Sequence, residues 1–279
     1  MTRIAVILTC FNRRDKTKHC IKTLIDQKNK YIDTIEFSIY LCNDGSTDGT
    51  KEMLEKYRQE GVDITILDGG NLYWDKGMHL AMQNAVKTKY DYYLMINDDV
   101  DFNDEFIKVM LDSYNDAGVS CGISGATQDS ECKYTTYGGI LFKSSKFMDP
   151  DGTLQECNLA NWNCFLVDRE IIDKVGIIDP NYDHSYGDFD YSMTMQRKGF
   201  KVYLAKNYIG ICDRNTLRGT FKDKELTKKE RIKRFFSPKG MSIKSGIRYS
   251  FKNFDYLGFK GLFKFLGAYC RNLIVVLIC

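Results

Sequence analysis

Hydrophobic positions in the N-terminal part of the chain alternate between strand-like and helix-like spacing. Ile4-Ala5-Val6-Ile7-Leu8 is an unbroken apolar run, as a strand buried on both faces of a parallel sheet requires. A polar, helix-compatible stretch follows from Asp15 to Gln27. A second strand over 35–42 then ends in Asn43-Asp44-Gly45. Residues 50–59 read as helix, 63–67 as strand and 77–87 as helix; a fourth strand over 92–96 ends in Asn97-Asp98-Asp99. This order predicts an α/β fold with a mostly parallel central sheet and helices packed on it. In such sheets ligands gather at the carboxyl ends of the strands. Those ends carry Thr9-Cys10-Phe11-Asn12, Asn43-Asp44 and Asn97-Asp98-Asp99, so polar clusters are expected to converge on one edge. Residues 119–142 are glycine-rich and β-like, 169–175 and 189–198 are helical, and 201–205 form a short strand. No linker is visible before residue 214, so 1–213 is expected to form one domain.

Composition narrows the classes. Of 279 residues, 43% are hydrophobic and 28% charged, which excludes a disordered chain. Only 3 prolines and no repeat period exclude collagen-like and solenoid architectures. No uncharged apolar stretch reaches the roughly 18–20 residues expected of a membrane-spanning helix, and the N-terminal apolar run is too short for a signal peptide. The 10 cysteines contain no CxxC pair, which excludes zinc-ribbon and thioredoxin motifs and favours reduced thiols in a cytoplasmic setting.

The net charge of +3 conceals an asymmetry: residues 214–279 hold 16 Lys/Arg against 4 Asp/Glu, and residues 1–213 hold 24 against 33. At about 100° per residue, Lys260, Lys264 and Arg271 share one helical stripe. Phe259, Leu262, Phe263, Leu266, Tyr269, Leu273, Ile274 and Leu277 occupy the opposite side. Such a helical basic extension suits an anionic membrane surface, with packing on the preceding domain or on a second subunit in a homodimer as the alternative. No module that reads nucleic acid is visible, and nucleic acid is not an expected partner.

Three acidic motifs could carry chemistry. Asn43-Asp44-Gly45-Ser46-Thr47-Asp48-Gly49-Thr50 has near-EF-hand spacing, yet a β-branched and aromatic run precedes it where a helix is needed. Asp48 suits capping of the next helix, which leaves Asp44, at a strand end, able to accept from a nucleobase N–H. Asn97-Asp98-Asp99 places adjacent carboxylates at a strand end, where a divalent cation could compensate their repulsion; a solvated turn is the alternative. In Tyr186-Gly187-Asp188-Phe189-Asp190-Tyr191, Asp188 and Asp190 open a helix.

Together TCFNR, NDGSTDGT, the NDDVD strand end and YGDFDYSMTMQRKGF resemble family 2 glycosyltransferases of the GT-A fold. GGNLYWDKGMHLAM is similar to the subset that builds capsular and other cell-surface polysaccharides in bacteria, rhamnosyltransferases included. The resemblance covers residues 1–215. It implies a nucleotide-binding GT-A domain over 1–213 and a helical extension over 214–279. Thr9, Phe11, Asn12, Arg13, Asp44 and Asp98 would then bind the nucleotide. Trp74, Asp75 and Lys76 would lie beside the donor sugar or pyrophosphate. Asn97 and Asp99 would belong to the metal motif for Mg2+ or Mn2+, although the family often has aspartate where Asn97 stands. Asp213 would take the place of a late histidine. Asp188 would be the general base, with Asp190 as the fallback, and Gly187 stands where a helper glutamate is usual. Trp162, in Ala160-Asn161-Trp162-Asn163-Cys164, is either core or an acceptor platform.

The implied activity is inverting, metal-dependent transfer from a UDP- or dTDP-sugar to a lipid-linked or polysaccharide acceptor, peripheral on the inner face of the cell membrane. A nucleotidyltransferase making nucleotide sugars is one rival, though TCFNRRD lacks the glycine-rich loop usual there. A non-catalytic nucleotide- or glycan-binding module is the other.

Overall fold

The computed structural model describes residues 1–142, 144 and 146–278. The chain runs through β1 (Thr2–Cys10), α1 (Arg14–Lys30), β2 (Ile35–Asn43), α2 (Thr50–Gln59), β3 (Ile64–Asp68), α3 (Tyr73–Ala85) and β4 (Tyr92–Ile96). The pairings β3–β2–β1–β4 are all parallel, and Val6 lies between Ile39 and Leu94. Ile4 to Leu8 are fully buried because both faces of β1 are covered. Ile4, Val6 and Leu8 pack toward Cys20, Ile21 and Leu24 of α1, whereas Ala5 and Ile7 pack toward Met78 and Ala81 of α3. Helix α3 starts before its apolar periodicity does. The Asp44 carboxylate accepts hydrogen bonds from the backbone N–H of Leu72 (2.6 Å) and Tyr73 (2.8 Å), which holds its first turn.

Beyond β4 come β5 (Asp101–Phe102), α4 (Phe106–Ala117), β6 (Cys121–Gln128), β7 (Thr135–Tyr137), β8 (Gly139–Ile140), β9 (Gln155–Cys157), β10 (Leu159–Ala160) and β11 (Cys164–Asp168). Strand β11 inserts between β4 and β6, antiparallel to both, with Cys164 opposite Ile96. The chain therefore enters β11 at the edge where β4 ends. After α5 (Arg169–Val175) and α6 (Gly187–Arg197), β12 (Lys201–Ile211) lies parallel to β6. It is longer than its apolar start suggests, following β6 through irregularities between Leu204 and Gly210. Among the described residues the main sheet has ten strands, ordered β3-β2-β1-β4-β11-β6-β12-β5, with β7 on β6 and β9 on β12. Trp162 is fully buried among Trp74, Phe165 and Tyr191, so it belongs to the core and is no acceptor platform.

The basic extension forms α7 (Lys228–Phe235), α8 (Ile243–Lys252) and α9 (Phe254–Ile278). Thr227 and Glu230 cap α7 reciprocally. The extension is fastened to the sheet domain by polar contacts. Asp190, buried at the start of α6, accepts from Lys252 Nζ (2.6 Å), Asn253 Nδ2 (2.9 Å) and Tyr182 OH (3.0 Å). Asp179 pairs with Arg248 (2.7 Å) and Lys252 (2.9 Å), and Arg197 pairs with Asp255 (2.8 Å). Helix α9 corrects one expectation. It is long and apolar enough to cross a membrane, and nearly all of its apolar stretch lies outside the core. Lys264 and Arg271 interrupt the apolar run and conceal this in the sequence. Tyr269 and Val276 pack with Phe235, whereas Phe259, Phe263, Ile274 and Leu277 stay exposed.

Asp190→Ala leaves Lys252, Asn253 and Tyr182 without their acceptor. Loss of a buried pair of this kind is expected to cost on the order of 3 kcal/mol. Urea denaturation should show that loss, and limited proteolysis should show faster cleavage within 214–279.

Candidate active site

Strand β1 turns into α1 at Asn12, whose φ of 50° lies in the left-handed region that asparagine tolerates. Asn12 Oδ1 accepts from the Thr47 N–H (2.7 Å), and its own N–H donates to Ser46 Oγ (2.9 Å), joining the ends of β1 and β2. Asp48 serves two helices, accepting from the N–H of Arg14 (2.9 Å) and of Thr50 (3.1 Å). Thr9 Oγ1 donates to the Cys42 carbonyl (3.1 Å), and Phe11 is exposed. These residues share the edge formed by the strand ends, as does Asp44. Both Asp44 oxygens, however, are engaged by the first turn of α3, and only 5% of the residue is exposed.

Arg13 crosses to the end of β4 and donates to Asp98 (3.0 Å) and Asp99 (2.9 Å). Asp98 is buried and also accepts from Thr17 Oγ1 (2.7 Å), so it braces α1 against β4 and presents no surface to a nucleotide. Burial pushes its carboxyl up, and Arg13 opposes that shift. Asp99 is more open and gives Oδ2 to Arg13.

Asn97 is engaged at both ends of its amide. Its Oδ1 accepts from Trp74 Nε1 (2.8 Å), and its Nδ2 donates to Asn163 Oδ1 (2.8 Å). Its amide oxygen already accepts from Trp74, which leaves one lone pair and makes it a weaker ligand for a cation than a carboxylate. Asp213 accepts from the Ser130 N–H (2.9 Å), which ties it to the loop after β6. Among the described residues no group of three or more His, Cys, Asp or Glu side chains could by itself hold a metal. Mg2+ and Mn2+ are hard ions that can bind through one carboxylate and complete their shell with phosphate oxygens and water, and Asp99 keeps one oxygen clear of Arg13.

A hydrogen-bonded belt runs on from Asn97. The Asn163 N–H donates to Asn161 Oδ1 (3.0 Å), and Asn161 Nδ2 donates to Asp188 Oδ2 (3.3 Å). The sequence motifs assign Asn161 and Asn163 no role; the structure sets them on either side of the buried Trp162. Asp188 also accepts from the Phe189 N–H (2.9 Å). Burial raises its carboxyl to about 7 against those hydrogen bonds.

Asp75 lies elsewhere than expected. It is fully buried, with no surface to offer a donor sugar, and neither oxygen makes a well-formed hydrogen bond, the Gly187 N–H offering only a weak one. Burial, and then the neighbouring Asp188, push its carboxyl well above the usual range. A Cβ at Gly187 would stand 1.7 Å from Asp75 Oδ1 and 2.8 Å from Ile178 Cδ1, so only glycine fits there. The space of a side chain at 187 is filled by a carboxyl group from α3. Lys76 is turned toward Asp183 (3.4 Å). Asp190 is held by the extension and is not free to act as a base.

An acid whose proton affinity rises on folding binds more protons when native than when unfolded. It therefore opposes folding increasingly as pH rises above the unfolded carboxylate pKa of about 4. Asp75→Asn removes that effect. The variant is expected to match wild type near pH 4 and to exceed it at pH 8 by roughly 1–3 kcal/mol. Denaturation at pH 4, 6 and 8 checks this, and a difference independent of pH would contradict it.

Residues 5–176 match the glycosyl transferase family 2 profile, which covers more than half of the chain. The mannosyltransferase PcManGT from Pyrobaculum calidifontis, solved in complex with GDP-Man and Mn2+, aligns with a TM-score of 0.57 at 12% identity, over 85% of this chain and 62% of that one. TarS 1-349 from S. aureus aligns with a TM-score of 0.55 at 14% identity, over 76% of this chain and 60% of that one. The chain thus spans less than two thirds of either structure, and at these identities the likeness speaks for the GT-A fold alone. No curated protein matches it in sequence. On the profile match, the chain belongs to glycosyl transferase family 2.

Proposed function

We propose that the chain is an inverting glycosyltransferase, moving a sugar from a UDP- or dTDP-linked donor to a lipid-linked or growing cell-surface polysaccharide, with rhamnosyl transfer among the candidate reactions. The observation that carries this reading is Asp188. It opens α6 with a carboxyl poised near 7 and is joined through Asn161, Asn163 and Asn97 to the strand edge that ends in Asp99. A base is most effective when its pKa lies near the working pH.

Asp188 takes the proton of the acceptor hydroxyl as that oxygen attacks the anomeric carbon. The bond from that carbon to the diphosphate oxygen breaks on the opposite side, and a single displacement inverts the centre. Asp99 would hold Mg2+ or Mn2+, whose charge offsets that of the departing diphosphate. Arg13, already on Asp99, adds a fixed positive charge at the same end. The Mn2+ and GDP-Man bound by the Pyrobaculum enzyme support a cation and a nucleotide sugar here.

Asp188→Asn is expected to lower kcat by about 10² to 10⁴-fold while nucleotide binding persists. In wild type, kcat/KM should fall as pH drops below about 7, because Asp188 is then protonated. Turnover by the variant at the wild-type rate would remove Asp188 from the mechanism.

The reading extends to location. Phe259, Phe263, Ile274 and Leu277 stand exposed beside Lys260, Lys264 and Arg271, a surface suited to the inner face of the cell membrane. The full chain should float with phosphatidylglycerol vesicles, and Phe259→Ser/Phe263→Ser should not. Wild type that stays in the soluble fraction while sedimenting as a dimer would assign the face to a second subunit.

A further inference from the structure

The link between α7 and α8 is a tight turn, Ser237-Pro238-Lys239-Gly240. The Gly240 N–H donates to the Ser237 carbonyl (2.8 Å), and the Met241 N–H donates to the Phe235 carbonyl (2.9 Å). Proline at the second position presets the backbone for such a turn. A Cβ at Gly240 would lie 2.3 Å from the carbonyl oxygens of both Arg234 and Phe235, so the turn closes only with glycine. Phe235, fully buried against Phe221 and Tyr269, anchors it. The turn therefore fixes the backbone at Lys239 and with it the direction in which the side chain leaves.

That direction is toward the strand ends. Lys239 Nζ lies 5.6 Å from the centre of the Phe11 ring, and among the described residues it forms no ion pair or hydrogen bond. Burial, and then Arg13, make the Lys239 ammonium easier to deprotonate, with Asp44 partly opposing. His184, ahead of α6, stands edge-on to Tyr73 at the start of α3, with ring centres 6.4 Å apart. Its Nδ1 is buried without a partner, and burial, then Lys239, then Arg13 lower the ring to about 4. The ring is thus neutral at pH 7 and can present one N–H. Among the described residues Lys239 is thus an unpaired cation at the strand-end edge, beside an Arg13 already paired with Asp98 and Asp99, and the His184 nitrogen is unsatisfied; a multiply charged anion would supply the partners that Lys239 and His184 lack.

We propose that Lys239, delivered by the C-terminal extension, is a ligand of the donor's diphosphate, shared with Arg13 and His184. The assignment rests on the donor reading above in naming the source of the anion; a lipid diphosphate on the acceptor side offers the same chemistry. Phe11, at the nucleotide edge, favours the donor. On this account the extension completes the donor site as well as presenting α9.

The test is calorimetric titration of the full chain with inorganic pyrophosphate. Wild type, Lys239→Ala, Lys239→Arg and the remote control Lys228→Ala are compared, with thermal melts establishing that each is folded. Lys239→Ala is expected to weaken pyrophosphate about tenfold, the loss of roughly one charge-assisted hydrogen bond. Lys239→Arg should keep most of the affinity, and Lys228→Ala all of it. Wild-type affinity in Lys239→Ala, or no binding by wild type, overturns the proposal. Competition by UDP, dTDP or GDP against pyrophosphate supports the donor as the source. Competition by farnesyl diphosphate alone overturns that assignment. Nucleotide binding that persists unchanged in Lys239→Ala removes Lys239 and leaves the donor reading standing.

Discussion

The site depends on the antiparallel insertion of β11 beside β4. A parallel strand in that position would begin at the far edge of the sheet and carry its preceding residues away from the ligand edge. Running the other way, β11 begins where β4 ends, and Cys164 faces Ile96. Residues 161–163 then lie beside Asn97, and the Asn97–Asn163 side-chain pair closes the seam. From that seam Asn161 reaches Asp188. Asp188 is thereby joined by hydrogen bonds to Asn97, two residues before Asp99, with Trp162 buried beneath the belt as support.

The acidic residues of this region divide according to what surrounds each one. Asp188 and Asp190 stand two positions apart in a helix, so their side chains leave on opposite sides. Asp190 meets Lys252, Asn253 and Tyr182 and serves as a fastening point. Asp188 meets amide donors but no bonded cation, and burial raises it into the neutral range. Asp75, with neither oxygen bonded, is likewise pushed up by burial. Asp98 and Asp99, by contrast, share Arg13. One end of the site therefore holds carboxylates paired with a guanidinium, and the other holds Asp188 and Asp75, which have no bonded cation. Charge-bearing groups in the first and proton-accepting groups in the second are what glycosyl transfer requires.

The extension binds these two ends together. Its ion pairs grip the start of α6, and the Lys239 turn lies over Phe11 at the opposite end. Its outer helix keeps an apolar surface that the sheet domain does not cover. Loosening the extension therefore disturbs the neighbourhood of Asp188 as well as any surface on which α9 rests.

Much of this was legible in the residues themselves. Short apolar runs rich in β-branched or aromatic residues that end in polar turn residues fit buried strands, so the order of the first four strands and their polar ends followed from the pattern. The family motifs likewise carried the GT-A fold. Strand β11 and the pair Asn161 and Asn163 were not legible, because an antiparallel insertion leaves no local mark distinct from any short apolar strand. The fate of each carboxylate was equally hidden. Asp44 holds a helix, Asp75 fills the space at Gly187, and Asp190 grips the extension. Sequence alone determined which acidic groups stand near the ends of strands and helices, since local periodicity decides where elements stop. Whether a group stays open or is consumed by a hydrogen bond was decided by tertiary structure, because its partner lies tens of residues away and burial sets its proton affinity.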